Sequence, residues 1–118
     1  MRTLTTIAAA LFLAVAPGAA LAHAHLDHAE PAVGATVSTA PKEITLWFTQ
    51  SLEPAFSGVE VLDASGGKVS DGAPQISGNT MRVSLKIPGP GSYSVHWHAV
   101  SVDTHKTEGT FTFTVGGQ

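Results

Sequence analysis

Residues 80–87 read Thr-Met-Arg-Val-Ser-Leu-Lys-Ile, and no other stretch limits the fold as tightly. Met81, Val83, Leu85 and Ile87 alternate with Thr80, Arg82, Ser84 and Lys86. In an extended chain a period of two sends every apolar side chain to one face and every polar one to the other. A helix of the same residues would have no apolar stripe. The pattern recurs. Ile44, Leu46 and Phe48 share one face of residues 44–49, and Tyr93, Val95, Trp97 and Ala99 share one face of residues 93–99. Residues 23–28, 59–63 and 111–115 also read as strands. Glu30-Pro31-Ala32-Val33-Gly34, Ser65-Gly66-Gly67 and Pro88-Gly89-Pro90-Gly91 supply turn chemistry between them. Nothing beyond residue 22 reads as a helix. About six or seven short strands, punctuated roughly every eight to twelve residues, predict an all-β domain. The expected architecture is a Greek-key β-sandwich of two antiparallel sheets.

The start of the chain follows a different rule. Arg2 precedes an apolar run over residues 7–15, and Ala20-Leu21-Ala22 follows it. That is the order of a secretory leader: a positive n-region, an h-region and an A-x-A cleavage site. The run is too short to span a bilayer, and no later stretch is apolar enough. Residues 1–22 are therefore expected to be a cleaved signal peptide, and residues 23–118 one small domain with a single core. With no lipobox cysteine, the mature product is expected to be periplasmic and not membrane-spanning. The full chain carries formal charge −3, and loss of Arg2 makes it −3 − 1 = −4. Lys42, Lys68, Arg82, Lys86 and Lys106 are scattered, which argues against nucleic acid as a partner. The chain has no cysteine, so it has no disulfides and no thiolate metal site. Any metal must be held by nitrogen and oxygen.

Cleavage after Ala22 makes His23 the N-terminal residue. Its α-amine and imidazole then form a chelating pair that the precursor lacks. Asp103 and His105 lie two apart after the strand at 93–99, and side chains two apart share a side in extended chain. His23, His105 and Asp103 together offer three nitrogens and one oxygen. Such a set suits Cu(II) or Ni(II), and Cu(II) binds it most tightly of the divalent first-row ions. The plainer readings are a polar turn at Asp103-Thr104-His105 and an ordinary residue after a cleavage site at His23. Asp103 either ligates the ion or orients His105 from behind. His25 offers an additional ligand. It also offers an amino-terminal chelate that uses two backbone amides and leaves Asp103 and His105 unused. His96 and His98 lie two apart on an outward strand face. They read first as a solvated polar face; the alternative is a second, weaker metal site, with His28 as a further member. Trp47, Trp97 and Tyr93 read as packing. No nucleophile–base arrangement or phosphate loop is present, so no enzyme is expected.

His23-Ala24-His25-Leu26 followed by Glu30-Pro31-Ala32-Val33-Gly34-Ala35 resembles the start of a mature CopC-type copper-binding protein. The stretch from Leu52-Glu53-Pro54-Ala55-Phe56 to Val61 is similar to the same family. So is the run from Tyr93 through Trp97, Ser101, Asp103 and His105 to Gly109, Phe111, Phe113 and Val115, which carries the most specific pattern. The resemblance covers essentially the whole mature chain. It implies a cupredoxin-like or immunoglobulin-like sandwich, and one Cu(II) per mature chain held by His23, Asp103 and His105. The leading expectation is a carrier or buffer in copper homeostasis and resistance that is monomeric, and the resemblance implies an inner-membrane copper transporter of the CopD type as its partner. Three departures stand out. Thr104 replaces the family's usual glycine, and threonine tolerates positive φ poorly, so a more extended loop is expected. Gln50 stands where relatives often carry a glutamate. Met81 is the only methionine after the leader and belongs to the core, so no thioether Cu(I) site is expected. Two other functions compete: a copper oxidase or monooxygenase built on an N-terminal histidine brace, and a metal-free immunoglobulin-like interaction module.

Overall fold

The alternating run at residues 80–87 forms the centre of a sheet. In the computed structural model, which describes residues 23–117, it is strand β6 (Thr80–Leu85), with Met81, Val83 and Leu85 buried and Arg82 and Ser84 exposed. β6 pairs with β3 (Glu43–Phe48) on one side and β5 (Ser70–Ser77) on the other, while β1 (Leu26–Glu30) closes the far edge beside β3. The first sheet therefore runs β1-β3-β6-β5. The second runs β2-β8-β7-β4, from β2 (Thr36–Val37), β4 (Gly58–Leu62), β7 (Gly91–Val100) and β8 (Lys106–Val115). The two sheets form the expected β-sandwich. The leader expected over residues 1–22 lies outside the described residues.

The inner faces come from the residues the alternation selects. Ile44, Leu46, Phe48, Met81, Val61, Val95 and Phe113 are almost completely shielded from solvent. Tyr93 stacks on Phe113, with ring centroids 5.6 Å apart. Trp97 is half-buried against the core and meets Phe48 edge-on at 5.1 Å. That position depends on Gly109, its partner on β8. A Cβ there would stand 2.5 Å from the Trp97 ring, closer than any real contact.

Three expectations need correction. First, the described residues hold eight strands, and one pairing is parallel: β2 lies alongside β8 with Thr36 opposite Thr114. Second, the leading strand begins at Leu26 and not at residue 23; before it, Ala24 and His25 are hydrogen-bonded to Thr107 and Thr49. Third, β5 was not anticipated. Its sequence Ser-Asp-Gly-Ala-Pro-Gln-Ile-Ser has no clean alternation, since it is an edge strand whose register shifts between Asp71 and Gln75. Gly72, at φ +81°, and Pro74 sit in that irregular stretch, where no ladder on the outer side needs an N–H.

Candidate metal centre

Three segments distant in sequence meet at one end of the sandwich. The first is the N-terminal stretch. The Thr49 amide donates to the His25 carbonyl at 2.9 Å, and the His25 amide donates to Thr49 Oγ1 at 2.9 Å. Between the two histidines, Ala24 is fully buried, and its carbonyl accepts a 2.6 Å bond from Thr107 Oγ1. Residues 23–25 are thus pinned to β3 through Thr49 and to β8 through Thr107. With Ala24 turned inward, His23 is left half-buried and His25 exposed.

The second segment is the turn between β7 and β8. The Thr104 amide donates to the Ser101 carbonyl at 2.7 Å, and the Ser101 amide donates to the His105 carbonyl at 3.0 Å. Thr104 has φ +73°. The loop is therefore a tight turn, not the extended segment expected from the loss of glycine. Threonine adopts the left-handed conformation itself, and its hydroxyl donates to the Asp103 carbonyl. This also changes the reason for pairing Asp103 with His105. They meet because the turn folds back, not because alternate residues of a strand share a side. The third segment, residues 51–57, buttresses the turn from outside. Glu53 N donates to the Val100 carbonyl at 2.8 Å, Val102 N donates to the Ser51 carbonyl at 3.2 Å, and Val100 N donates to Ser57 Oγ at 2.9 Å.

The turn fixes the donor atoms. His105 Nδ1 lies 3.2 Å from Asp103 Oδ2. The buried Ser101 hydroxyl donates to Asp103 Oδ1. Chiefly through that hydroxyl, and further through His105, the Asp103 carboxyl is held below the usual carboxylate range against some opposing desolvation. Asp103 therefore stays ionised and keeps the Nδ1 side of His105 occupied, the arrangement by which a carboxylate fixes the orientation of an imidazole. The His23 and His105 rings lie 4.5 Å apart, centroid to centroid, and the His23 and His25 rings 6.2 Å apart. All four residues named from the sequence are thus gathered. Among the described residues, no three or more such side chains already converge on a single point. The α-amine of a chain starting at His23 would add a donor that is not a side chain.

The other histidines do not join them. His28 lies on the outer face of the first sheet, stacked on Trp47 at 4.3 Å and bound through Nδ1 to Asp27 Oδ2 at 2.7 Å. His96 and His98 lie exposed on the second sheet, so the grouping of His28 with them is wrong. What sequence reasoning missed is the support: Thr49, Thr107 and Ser101 carry no signal until the fold brings residues 24, 49, 101 and 107 together.

The CopC domain family matches residues 26–116, nearly the whole described chain. The chain belongs to the CopC family. Similar proteins include "Protein YobA" of Escherichia coli (strain K12), 40% identical over 99 residues that cover 80% of this chain and 79% of that protein. "Copper resistance protein C" of Xanthomonas campestris pv. juglandis is 34% identical over 97% of this chain and 96% of its own. Among solved structures, PcoC, described as a methionine-rich copper resistance protein from Escherichia coli, superposes with a TM-score of 0.69. It is 35% identical, and the match covers 80% of this chain and 99% of that one. This CopC-family chain is a sandwich of the same kind, but its Met81 is fully buried, so no thioether faces solvent among the described residues. Among the described residues, no helix is long and apolar enough to cross a membrane.

Proposed function

We propose that this protein is a periplasmic Cu(II) carrier or buffer in copper homeostasis and resistance. The observation that carries the reading is the approach of His23 and His105 to 4.5 Å between ring centroids, from opposite ends of the chain. In this reading the leader is removed after Ala22, and His23 contributes its new α-amine and its imidazole. His105 contributes Nε2. Asp103 holds His105 in place and sets a negative charge beside the ion. One Cu(II) is taken per chain, a nitrogen-rich tetragonal set being the preference of that ion. His25 borders the set as a further donor.

The anchoring of residues 23–25 weighs against the amino-terminal chelate. That mode needs the Ala24 and His25 amides deprotonated and turned to the metal, whereas the His25 amide is bound to Thr49 and Ala24 is buried. The copper resistance proteins among the relatives support copper as cargo. The domain works as a monomer that captures and hands on the ion, without turnover, and its partner is an inner-membrane copper transporter of the CopD type.

The test is a Cu(II) titration followed by electron paramagnetic resonance, on the mature chain beginning at His23 and on the same chain with one glycine before it. A single tetragonal, nitrogen-rich signal at one equivalent is expected for the first, with a large loss of affinity in the second. Equal affinities would overturn the N-terminal assignment, and absence of tight binding in both would overturn the copper reading.

A further inference from the structure

We infer that Thr49 is a positioning residue that decides which donors of this N-terminus take the ion. Its hydroxyl blocks the amino-terminal chelate of residues 23–25 and so leaves His23 to pair with His105 across the sandwich. This role rests on the copper reading above. It concerns the choice between two donor sets that one chain offers.

A chain whose third residue is histidine offers Cu(II) its α-amine, two backbone amide nitrogens and that imidazole. His23-Ala24-His25 is such a start. In the chelate, metal–nitrogen bonds form at both amides, and both amide protons pass to solvent. The set built on His23 and His105 uses no backbone amide. The choice therefore falls on the peptide that joins Ala24 to His25.

That peptide is held at both ends. It is trans, so its carbonyl and its N–H point in opposite directions. The Ala24 carbonyl accepts from Thr107 Oγ1 at 2.6 Å, on β8 of one sheet. The His25 N–H donates to Thr49 Oγ1 at 2.9 Å, just past the end of β3 in the other. Two threonines thus grip one peptide from opposite sides, and it cannot rotate without breaking a bond. Thr49 makes two further bonds to the same segment. Its amide donates to the His25 carbonyl at 2.9 Å, and its hydroxyl donates to the His23 carbonyl at 3.5 Å. Ala24, fully buried, keeps the segment from sliding.

An ion in the chelate takes the place of the His25 amide proton, about 2.0–2.1 Å from the nitrogen. Thr49 Oγ1 already stands on that side, 2.9 Å from the same nitrogen. The gap is too short for both. The set across the sandwich asks for no such displacement: the His23 ring lies 4.5 Å from the His105 ring but 6.2 Å from the His25 ring. Selection by an obstacle against the rejected arrangement is as effective as a better fit to the chosen one.

The experiment compares Cu(II) titrations, followed by electron paramagnetic resonance, of the mature chain beginning at His23 and of its Thr49→Ser and Thr49→Ala variants. A free peptide of residues 23–26 supplies the signal of the amino-terminal chelate. Thr49→Ser keeps the oxygen, whereas Thr49→Ala removes it and opens the space beside the His25 amide. The natural chain and Thr49→Ser should share one signal that differs from the peptide's. Thr49→Ala should give the peptide's signal. Adding His105→Ala should weaken binding by more than about tenfold where residue 49 carries a hydroxyl. In Thr49→Ala the same change should cost less than about twofold, since His105 is then unused. Thr49 is exposed, and the thermal midpoint of each metal-free chain checks that it is folded. Two results overturn the role of Thr49 and leave the copper reading standing. One is a folded Thr49→Ala chain that keeps the natural signal and its dependence on His105. The other is a Thr49→Ser chain that gives the peptide's signal. If the natural chain itself gives the peptide's signal, or takes no copper, the reading falls and this role with it.

Discussion

Replacing Thr104 by glycine should make the protein more stable, although it removes a hydrogen bond. Thr104 holds φ +73°, a region costing an L-residue about 1–2 kcal/mol, and β-branched side chains suit it worst. Glycine is free of that cost but brings a more flexible unfolded chain, about 0.4–1 kcal/mol in the opposite direction. The lost bond, from the Thr104 hydroxyl to the adjacent Asp103 carbonyl, is exposed and local and was available to water. The balance favours glycine by about 0.5–1 kcal/mol, relief of strain being the larger effect. For a domain of this size each kcal/mol moves the thermal midpoint by about 4–8 °C, so a rise of roughly 2–8 °C is expected by calorimetry. Thr104→Ala is the control. It deletes the hydroxyl and the branch but keeps Cβ, and so keeps most of the strain; its midpoint should stay near or below that of the natural protein. If alanine stabilises as much as glycine, or if glycine destabilises, the strain argument is wrong.

Gly109→Ala should destabilise by about 2–3 kcal/mol, since the new methyl meets a Trp97 ring already held against Phe48; denaturant unfolding measures this, and a loss below 0.5 kcal/mol, within the range of ordinary surface changes, would refute it. Asp103→Asn should weaken Cu(II) binding about 10- to 100-fold by releasing Nδ1 of His105, and His105→Ala should weaken it further, both read by competition with a chelator. Ser101→Ala should raise the Asp103 carboxyl toward its ordinary range, because the serine hydroxyl is the main influence holding it low. The folded value being the lower one, Asp103's contribution to stability is present above the ordinary carboxylate range and is lost as pH falls through the folded value, below about pH 4. The variant should lose that acid-side dependence, and carbon-detected titration of Asp103 will show no shift if the argument fails.

The sandwich was legible because burial imposes alternation on its central strands. Ile44, Leu46 and Phe48, and Met81, Val83 and Leu85, announce their shared inner face in the sequence itself. β5 and the two-residue β2 were not legible, because edge strands with an irregular or very short ladder are released from that constraint. The four clustered residues could be named from chemistry and family likeness, but their arrangement could not. The turn that brings Asp103 to His105 depends on a conformation that threonine seldom adopts, and a composition rule pointed the other way. Ser101, Thr49 and Thr107 are ordinary β-sandwich residues until three distant backbone segments give them partners. The placement of His28 failed for the converse reason: histidines close in sequence pattern stand on opposite outer faces of the two sheets.

The clustered side chains straddle a seam. His23 and His25 lead into β1 of one sheet, whereas Asp103 and His105 join two strands of the other. At this end Thr107, bound to the Ala24 carbonyl, is a thin stitch between the layers. On the proposed copper reading, an ion gripped from both sides would act there as a rivet, because the layers could not part, nor a first residue at His23 peel away, without surrendering a ligand. Occupancy would then decide lifetime. A filled molecule would shield its own first residue from aminopeptidases, whereas an empty one would stand open to the single cut that disarms it.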